Sequence, residues 1–297
     1  MEETMKKVLK WIGIVLGGLL GILLVAAVIL HFVGKSKLTT APEVTGRPVT
    51  VPTDAESIAR GEKWVTLACT DCHGANLAGT QFFDTLPAPN LTSGRGGIGG
   101  VYTDEDWEMA LRHGVGGDGR PLIIMPSAQF SNFDNADTAA IIAYLKTLPP
   151  VDNELSPRKI SFPFSILFGM VIYDEIVGAA RIDHAAVGSQ PAPPEGATAD
   201  YGGYLVAIAG CQECHGENFA GRTEENGPPP GPNITPGGHL QNWNEQDFIA
   251  TMRTGVTPSG EELSEDMPWK DIGQLTDTEL QAIWAYLGEL PALPDNP

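Results

Sequence analysis

Two copies of one pentapeptide constrain this chain more than any other feature: Cys69-Thr-Asp-Cys72-His73 and Cys211-Gln-Glu-Cys214-His215, which together use all four of its cysteines. Paired thiols followed directly by a histidine satisfy the chemistry of covalent haem attachment. The thiols reach the two vinyl groups on one porphyrin edge, and the histidine swings beneath the ring so that its imidazole ligates the iron. A structural zinc site gathers four protein ligands from paired motifs, and a redox C-x-x-C does not need the trailing histidine. Both copies continue into His-Gly with no cysteine left over. We therefore expect two covalently attached haem c groups.

The motifs belong to an internal repeat. Cys69–Gly79 aligns with Cys211–Gly221, Pro87–Thr92 with Pro230–Thr235, Asp106–Gly114 with Asp247–Gly255, and Ala139–Pro149 with Leu280–Pro291. The offset is 142 residues at both ends and drifts by one in the middle. A unit of about 90 residues is a common domain size, but it is short of core by itself; a buried porphyrin supplies the missing apolar mass.

A haem that only carries electrons needs a sixth iron ligand. The candidates are Met109, His113 and Met125 in the first repeat and His239, Met252 and Met267 in the second. Met109 aligns with Ala250, Leu111 with Met252 and His113 with Thr254, whereas Met125 and Met267 match, each followed by proline and each 52 residues after its motif histidine. A glycine-bearing loop precedes both, so we expect Met125 and Met267 to be the distal ligands and Met109 and Met252 to be core filler. A soft thioether raises the haem potential. A ligating histidine generally hands its other N–H to a carbonyl or carboxylate, and Pro87–Thr92 and Pro230–Thr235 are the segments to supply it. Asn90 and Asn233 could instead be turn formers.

Trp11–Val33 is an almost unbroken apolar run of 23 residues flanked by lysines. It is long enough to span a bilayer and longer than the apolar region of a cleaved signal peptide. We expect 1–34 to be an uncleaved anchor and 35–54 a tether. Covalent haem c is made outside the cytoplasmic membrane, which places 55–150 and 199–297, the two haem domains, on the outer side of the inner membrane. His31 should sit at the membrane interface.

Beyond the anchor the chain carries 15 basic against 35 acidic residues. That balance excludes nucleic-acid binding and suits either solubility or docking to redox partner proteins with basic faces. The connector, 151–198, holds the apolar run Phe162–Tyr173, too short and interrupted to span a membrane. We expect a helix packed across the interface of the two repeats; the alternative is contact with a partner or a membrane surface. His184 reads as an interface hydrogen-bonder.

Helices are expected at 57–68 and 201–210, from 103 to 114 and from 244 to 255 with glycine stops, and from 134 and 276 to the prolines at 149 and 291. No alternating strand pattern of useful length competes.

Helix–CxxCH, a loop bearing Met-Pro, and a last helix ending Tyr-Leu-x-x-Leu-Pro resemble the class I cytochrome c domain, here twice. The whole chain resembles the membrane-anchored dihaem cytochromes c of bacterial respiratory chains. The resemblance implies an all-α fold of tandem haem domains and electron transfer without bond chemistry. It also implies Cys69, Cys72, Cys211 and Cys214 as thioether sites, His73 and His215 as proximal ligands, and Met125 and Met267 as distal ligands. The alternative is a peroxidase-type dihaem enzyme in which one iron opens to substrate; the matched Met-Pro pairs argue against it.

Overall fold

The computed structural model describes residues 1–82, 85–223 and 229–296; Pro297 lies outside the described residues. The chain opens with α1 (Glu2–Thr39), in which only Gly34 and Leu38 are buried. Among the described residues it is the one helix long and apolar enough to cross a bilayer. It runs through Lys35–Thr39, where a tether was expected. Nothing in that stretch breaks a helix, and Leu38 finds a cluster with Val177 and Ala179 to pack into.

The first repeat contains α2 (Ala55–Ala68), α3 (Thr70–His73), a hairpin of β1 (Thr80–Phe82) and β2 (Leu86–Ala88), α4 (Asp104–Glu108) continued by a π-helical turn Met109–His113, α5 (Ser127–Phe130) and α6 (Asn135–Thr147). The connector holds α7 (Phe164–Ile166), a π-helical turn Leu167–Val171 and α8 (Tyr173–Ile176). The second repeat contains α9 (Ala199–Ala209), α10 (Cys211–His215), α11 (Glu245–Thr254), α12 (Trp269–Ile272) and α13 (Asp277–Glu289). The hairpin pairs Thr80 with Ala88 and Phe82 with Leu86. Three residues a side are too few to write an alternating pattern.

Local chemistry sets the helix ends. Thr103 with Asp106, Asn244 with Asp247 and Thr276 with Glu279 form reciprocal capping boxes, and Asp54, Asp134 and Thr198 each accept the amide three residues on. These bonds satisfy amides that have no partner within the helix. Gly114 (φ 67°) and Gly255 (φ 71°) end their helices in the left-handed region that glycine enters freely. Each repeat is closed by its first helix crossing its last, α2 on α6 and α9 on α13. Both crossings use a glycine, since a Cβ at Gly61 would overlap the carbonyl of Ala140 and one at Gly202 that of Ala282.

The buried apolar residues of the two repeats form one continuous cluster through Trp64, Phe133, Tyr201 and Leu205. The polar contacts across this interface come in equivalent pairs. Asp137, fully buried, accepts the Trp64 indole N–H at 2.6 Å, the Arg60 guanidinium and the hydroxyl of Tyr204 from the other repeat. Glu279, 142 residues later, accepts the Lys63 ammonium of the first repeat at 2.6 Å. Each last helix thus begins with an acid bonded by the other repeat's first helix, an approximate two-fold exchange that fixes how the halves meet.

The apolar run of the connector does not bridge the repeats as expected. It lies on the end of α1, where Gly34 lets the Ser165 carbonyl approach the helix backbone. The connector touches the repeats on either side of this run: upstream, Asn153 donates to the Ala78 carbonyl and Arg158 to that of Pro121, both at 2.8 Å. Downstream, Gly178 and Ala179 rest near Ser127 and Gly114, and Arg181 pairs with Glu213 at 2.9 Å.

Candidate haem sites

α2 and α9 deliver the two motifs. The chain leaves α2 at Cys69 and turns directly into α3, while α9 stops at Gly210 (φ 68°) before α10 carries Cys211 to His215. A loop then doubles back, so that the Gly79 amide reaches the His73 carbonyl at 2.8 Å and the Gly221 amide reaches that of His215 at 2.9 Å. All four cysteines are free thiols. Burial pushes the Cys69 and Cys211 thiols up to about 12. Among the described residues no group of three or more His, Cys, Asp or Glu is placed to hold a bare metal ion. The donor set suits thioether bonds to a porphyrin.

The two histidines are held alike. His73 Nδ1 lies 2.8 Å from the Pro89 carbonyl oxygen, and His215 Nδ1 lies 2.7 Å from that of Pro232. A carbonyl only accepts, so Nδ1 carries the hydrogen and the Nε2 lone pair is left for iron. Burial holds both imidazoles below the ordinary histidine range, partly offset by these carbonyls. The Pro-x-Pro-Asn-x-Thr segments therefore supply the carbonyls, as expected, and their asparagines are also turn formers. Asn90 Oδ1 accepts the Thr92 amide at 2.9 Å while its Nδ2 donates to the Val151 carbonyl at 2.7 Å. Asn233 repeats this with Thr235 and Leu293, at 2.9 Å each.

In the second repeat Cys211, His215 and Met267 line one apolar cavity of about 100 Å³, walled by Leu240, Phe248, Met252 and Ile283. In the first, Met125 is half-buried and packs against the apolar cluster to which Cys69, Leu91, Leu111 and Ile142 belong. Met125 and Met267 have the same local geometry, since each carbonyl accepts the amide two residues on, from Ser127 and Trp269, at 2.8 and 2.7 Å. Met252 is core. Met109 is not; it is half-buried beside Gly46. His239 is exposed at the edge of the second cavity. His113 is fully buried, its Nδ1 2.8 Å from Nδ1 of His184, so His184 joins the connector to the first repeat.

A buried polar group behind the Met125 loop escaped the sequence reading. Arg112 bonds Glu108 through Nε (3.0 Å) and Nη2 (2.7 Å), both side chains are fully buried, and His113 Nε2 lies 3.4 Å from Glu108. Burial alone would raise the Glu108 carboxyl, but His113 and Arg112 outweigh it and hold it below the usual range. The i, i+4 spacing of Glu108 and Arg112 was visible, yet such a pair is ordinarily a solvated one.

The two sites also touch each other reciprocally. Asp71, between the cysteines of the first motif, faces Asp271, just beyond Met267-Pro268; burial and then this like-charged neighbour raise the Asp271 carboxyl. Gln129, just beyond Met125-Pro126, covers Gly210, the residue before Cys211. Each attachment motif thus rests on the segment that follows the other repeat's methionine.

The sequence profile described as Cytochrome c matches residues 58–149 and again 199–291. The chain belongs to the cytochrome c family. This cytochrome is 30% identical to a "Diheme cytochrome c-type" protein of Cereibacter sphaeroides over 79% of the chain and 86% of that protein. It is also 30% identical to the "Fructose dehydrogenase cytochrome subunit" of Gluconobacter japonicus (87% of the chain, 58% of that protein), and 27% identical to the "Alcohol dehydrogenase (quinone), cytochrome c subunit" of Komagataeibacter europaeus (77% and 54%). The chain spans just over half the length of these two dehydrogenase subunits. It carries two covalently bound haem c groups and works as an electron carrier rather than as an enzyme in its own right; none of these three relatives bears a peroxidase name.

Proposed function

We propose that this cytochrome is the electron-accepting subunit of a membrane-bound dehydrogenase, with α1 spanning the cytoplasmic membrane and both haem domains on its outer side. The observation that carries the electron-transfer reading is the matched pair of motif histidines, each buried with Nδ1–H fixed on a proline carbonyl. Two dehydrogenase cytochrome subunits among the relatives support the partner class. The 38 residues of α1, nearly all exposed, support the anchor.

When bound, each haem iron supplies one-electron chemistry between its ferrous and ferric forms. The chain's own residues then divide the work. Cys69 and Cys72, and Cys211 and Cys214, hold the porphyrin edges covalently. His73 and His215 would offer Nε2 to the iron, and Met125 and Met267 would offer their sulfurs. The apolar walls keep water from the iron, which disfavours the extra charge of the ferric state. The reciprocal contacts through Asp71–Asp271 and Gln129–Gly210 fix one site against the other, as a relay requires. The exposed acids Glu261, Glu262, Glu265 and Asp266, just ahead of Met267, offer a basic partner a docking face at the second site.

The test is substrate-dependent haem reduction in membranes that hold the full chain. Sugars or alcohols should reduce its haem bands, and deleting the chain should uncouple that oxidation from respiration. No haem reduction by any dehydrogenase substrate, with the protein purifying alone, would overturn the assignment. In single Met125→Ala and Met267→Ala variants the weak near-infrared sulfur-to-iron band should lose intensity; no loss in either would move the sixth ligand elsewhere.

A further inference from the structure

Neither haem domain uses the apolar run of the connector. Phe162, Phe164 and Val171 are 59%, 52% and 67% exposed, and Leu167 and Met170 are also open to solvent. The run is nevertheless fixed in place. His31 Nδ1 lies 2.6 Å from Ser165 Oγ, and Ser165 is fully buried. The backbones of Gly34 and Gly169 are pressed together so closely that a Cβ on Gly169 would overlap Gly34. One turn on, Leu38 is sealed against Val177 and Ala179. The segment is therefore clasped to α1 between His31 and Leu38 and presents its bulky side chains outward.

That clasp has a defined height along α1. Trp11–Val33 ends one residue before Gly34. At 1.5 Å per residue this run is about 35 Å long, which fills a hydrocarbon core of about 30 Å. Residues 31–38, and everything clasped to them, then lie at headgroup level. The surroundings suit that layer. Lys35 and Lys37 lie within the clasped stretch of α1, and Arg158 and Lys159 just precede Phe162, in a chain whose formal charge is −19, with Asp174 and Glu175 the nearest acids in sequence. The Lys37 ammonium sits 4.2 Å over the Tyr173 ring, and Arg158 donates to the Leu38 and Pro121 carbonyls, tying the collar to the first haem domain. Aromatic and basic side chains gather at bilayer interfaces, and an apolar face beside such charges beds into the headgroup–acyl boundary.

We propose that Phe162–Val171 is a second membrane contact, lying in the headgroup layer beside α1, and that the two together fix the orientation of the first haem domain over the bilayer. A single helix leaves the domain free to swivel; two adjoining contacts do not. The proposal rests on the reading that α1 spans the membrane, and the experiment separates the two. The full-length holoprotein in phosphatidylcholine–phosphatidylglycerol vesicles is labelled with two photoactivatable phospholipids, one carrying its carbene precursor at the acyl-chain end and the other in the headgroup region, and the adducts are mapped by peptide mass spectrometry. The expected result is α1 labelled from the acyl-chain probe, and Phe162–Val171 labelled by the headgroup probe several-fold more than the exposed control around Val101. The triple variant Phe162→Ser, Phe164→Ser, Val171→Ser should lose the segment's label and keep both haem spectra. Labelled α1 with Phe162–Val171 no better labelled than the control overturns the proposal; if the segment instead cross-links to a second copy or another subunit, protein is its occupant and the proposal is equally overturned. An unlabelled α1 overturns the anchor reading first.

Discussion

The two haem domains repeat one plan, yet the face behind the methionine loop has opposite chemistry in each. In the first, Glu108, Arg112 and His113 are buried beneath the connector, with His184 against His113 and Asn135 joining Arg112 to the Gly188 carbonyl. In the second, the aligned residues are Ile249, Arg253 and Thr254, and Arg253 lies at the surface, bonded to Asp277 and the Gly273 carbonyl. The arginine is common to both. Whether it forms a buried cluster or a surface pair depends on what covers it. Charge is tolerated in the first interior because Glu108 and Arg112 neutralise each other and Arg112 also donates to Asn135 Oδ1 at 2.8 Å.

The severest way to break the comparison is to remove a haem from one side only. Cys69→Ala with Cys72→Ala, or Cys211→Ala with Cys214→Ala, should each lower the mass of the mature protein by one haem, from two. A mature wild-type mass carrying one haem or none would sink the dihaem reading.

The next effect is on stability. Arg112→Ala leaves Glu108 an uncompensated buried charge and should cost about 3–5 kcal/mol. Arg253→Ala, at a surface pair, should cost about 1 kcal/mol or less. Denaturant unfolding of both variants measures the difference; equal losses would mean that the connector does not set the character of this face.

The potentials should differ as well. A redox titration should resolve two midpoints, the higher belonging to the first domain, whose methionine loop is covered by the connector while Glu265, Asp266 and Pro268 beside Met267 are exposed. Trp269, which follows Met267-Pro268, does not reverse this order, because its ring is only half-buried. Assigning the midpoints with Met125→Ala and Met267→Ala decides it; one midpoint, or the reverse order, would break the link between cover and potential.

The smallest effect is on pH. Burial pushes Glu279 up, but Lys63 and Thr276 outweigh it and hold the carboxyl below the usual range. Its contribution is present above the unfolded glutamate value and is lost as pH falls through the lowered folded value. Glu108, held low by His113 and Arg112, behaves with the same sign. Acid should therefore loosen the interface of the repeats, and Lys63→Ala should move that loosening to higher pH, read by hydrogen exchange in α9 and α13. An unshifted profile would remove the Lys63–Glu279 pair from the account.

Much of this was legible because the repeat made one half a check on the other. Caps such as Asn244-x-x-Asp247, the glycine stops and the proline carbonyls beneath the histidines are local, and local chemistry is written in adjacent residues. What was illegible depended on distant partners. Nothing around Ser165 says that it meets Gly34, well over a hundred residues earlier, because the groove exists only once α1 has formed. The i, i+4 pair at Glu108 and Arg112 looked like a surface pair because its cover comes from the connector.

The asparagine that sets each proline carbonyl is itself moored to the strand of chain leaving its domain. In the second domain that mooring is the segment after α13: Asn233 holds Leu293 and Asp295, and Asn296 returns an amide to Ala220. Those residues thus work as a latch on the imidazole of the second haem. A proteolytic cut between α13 and Asn296 would release that latch and register in the spectrum of one haem while leaving the other silent.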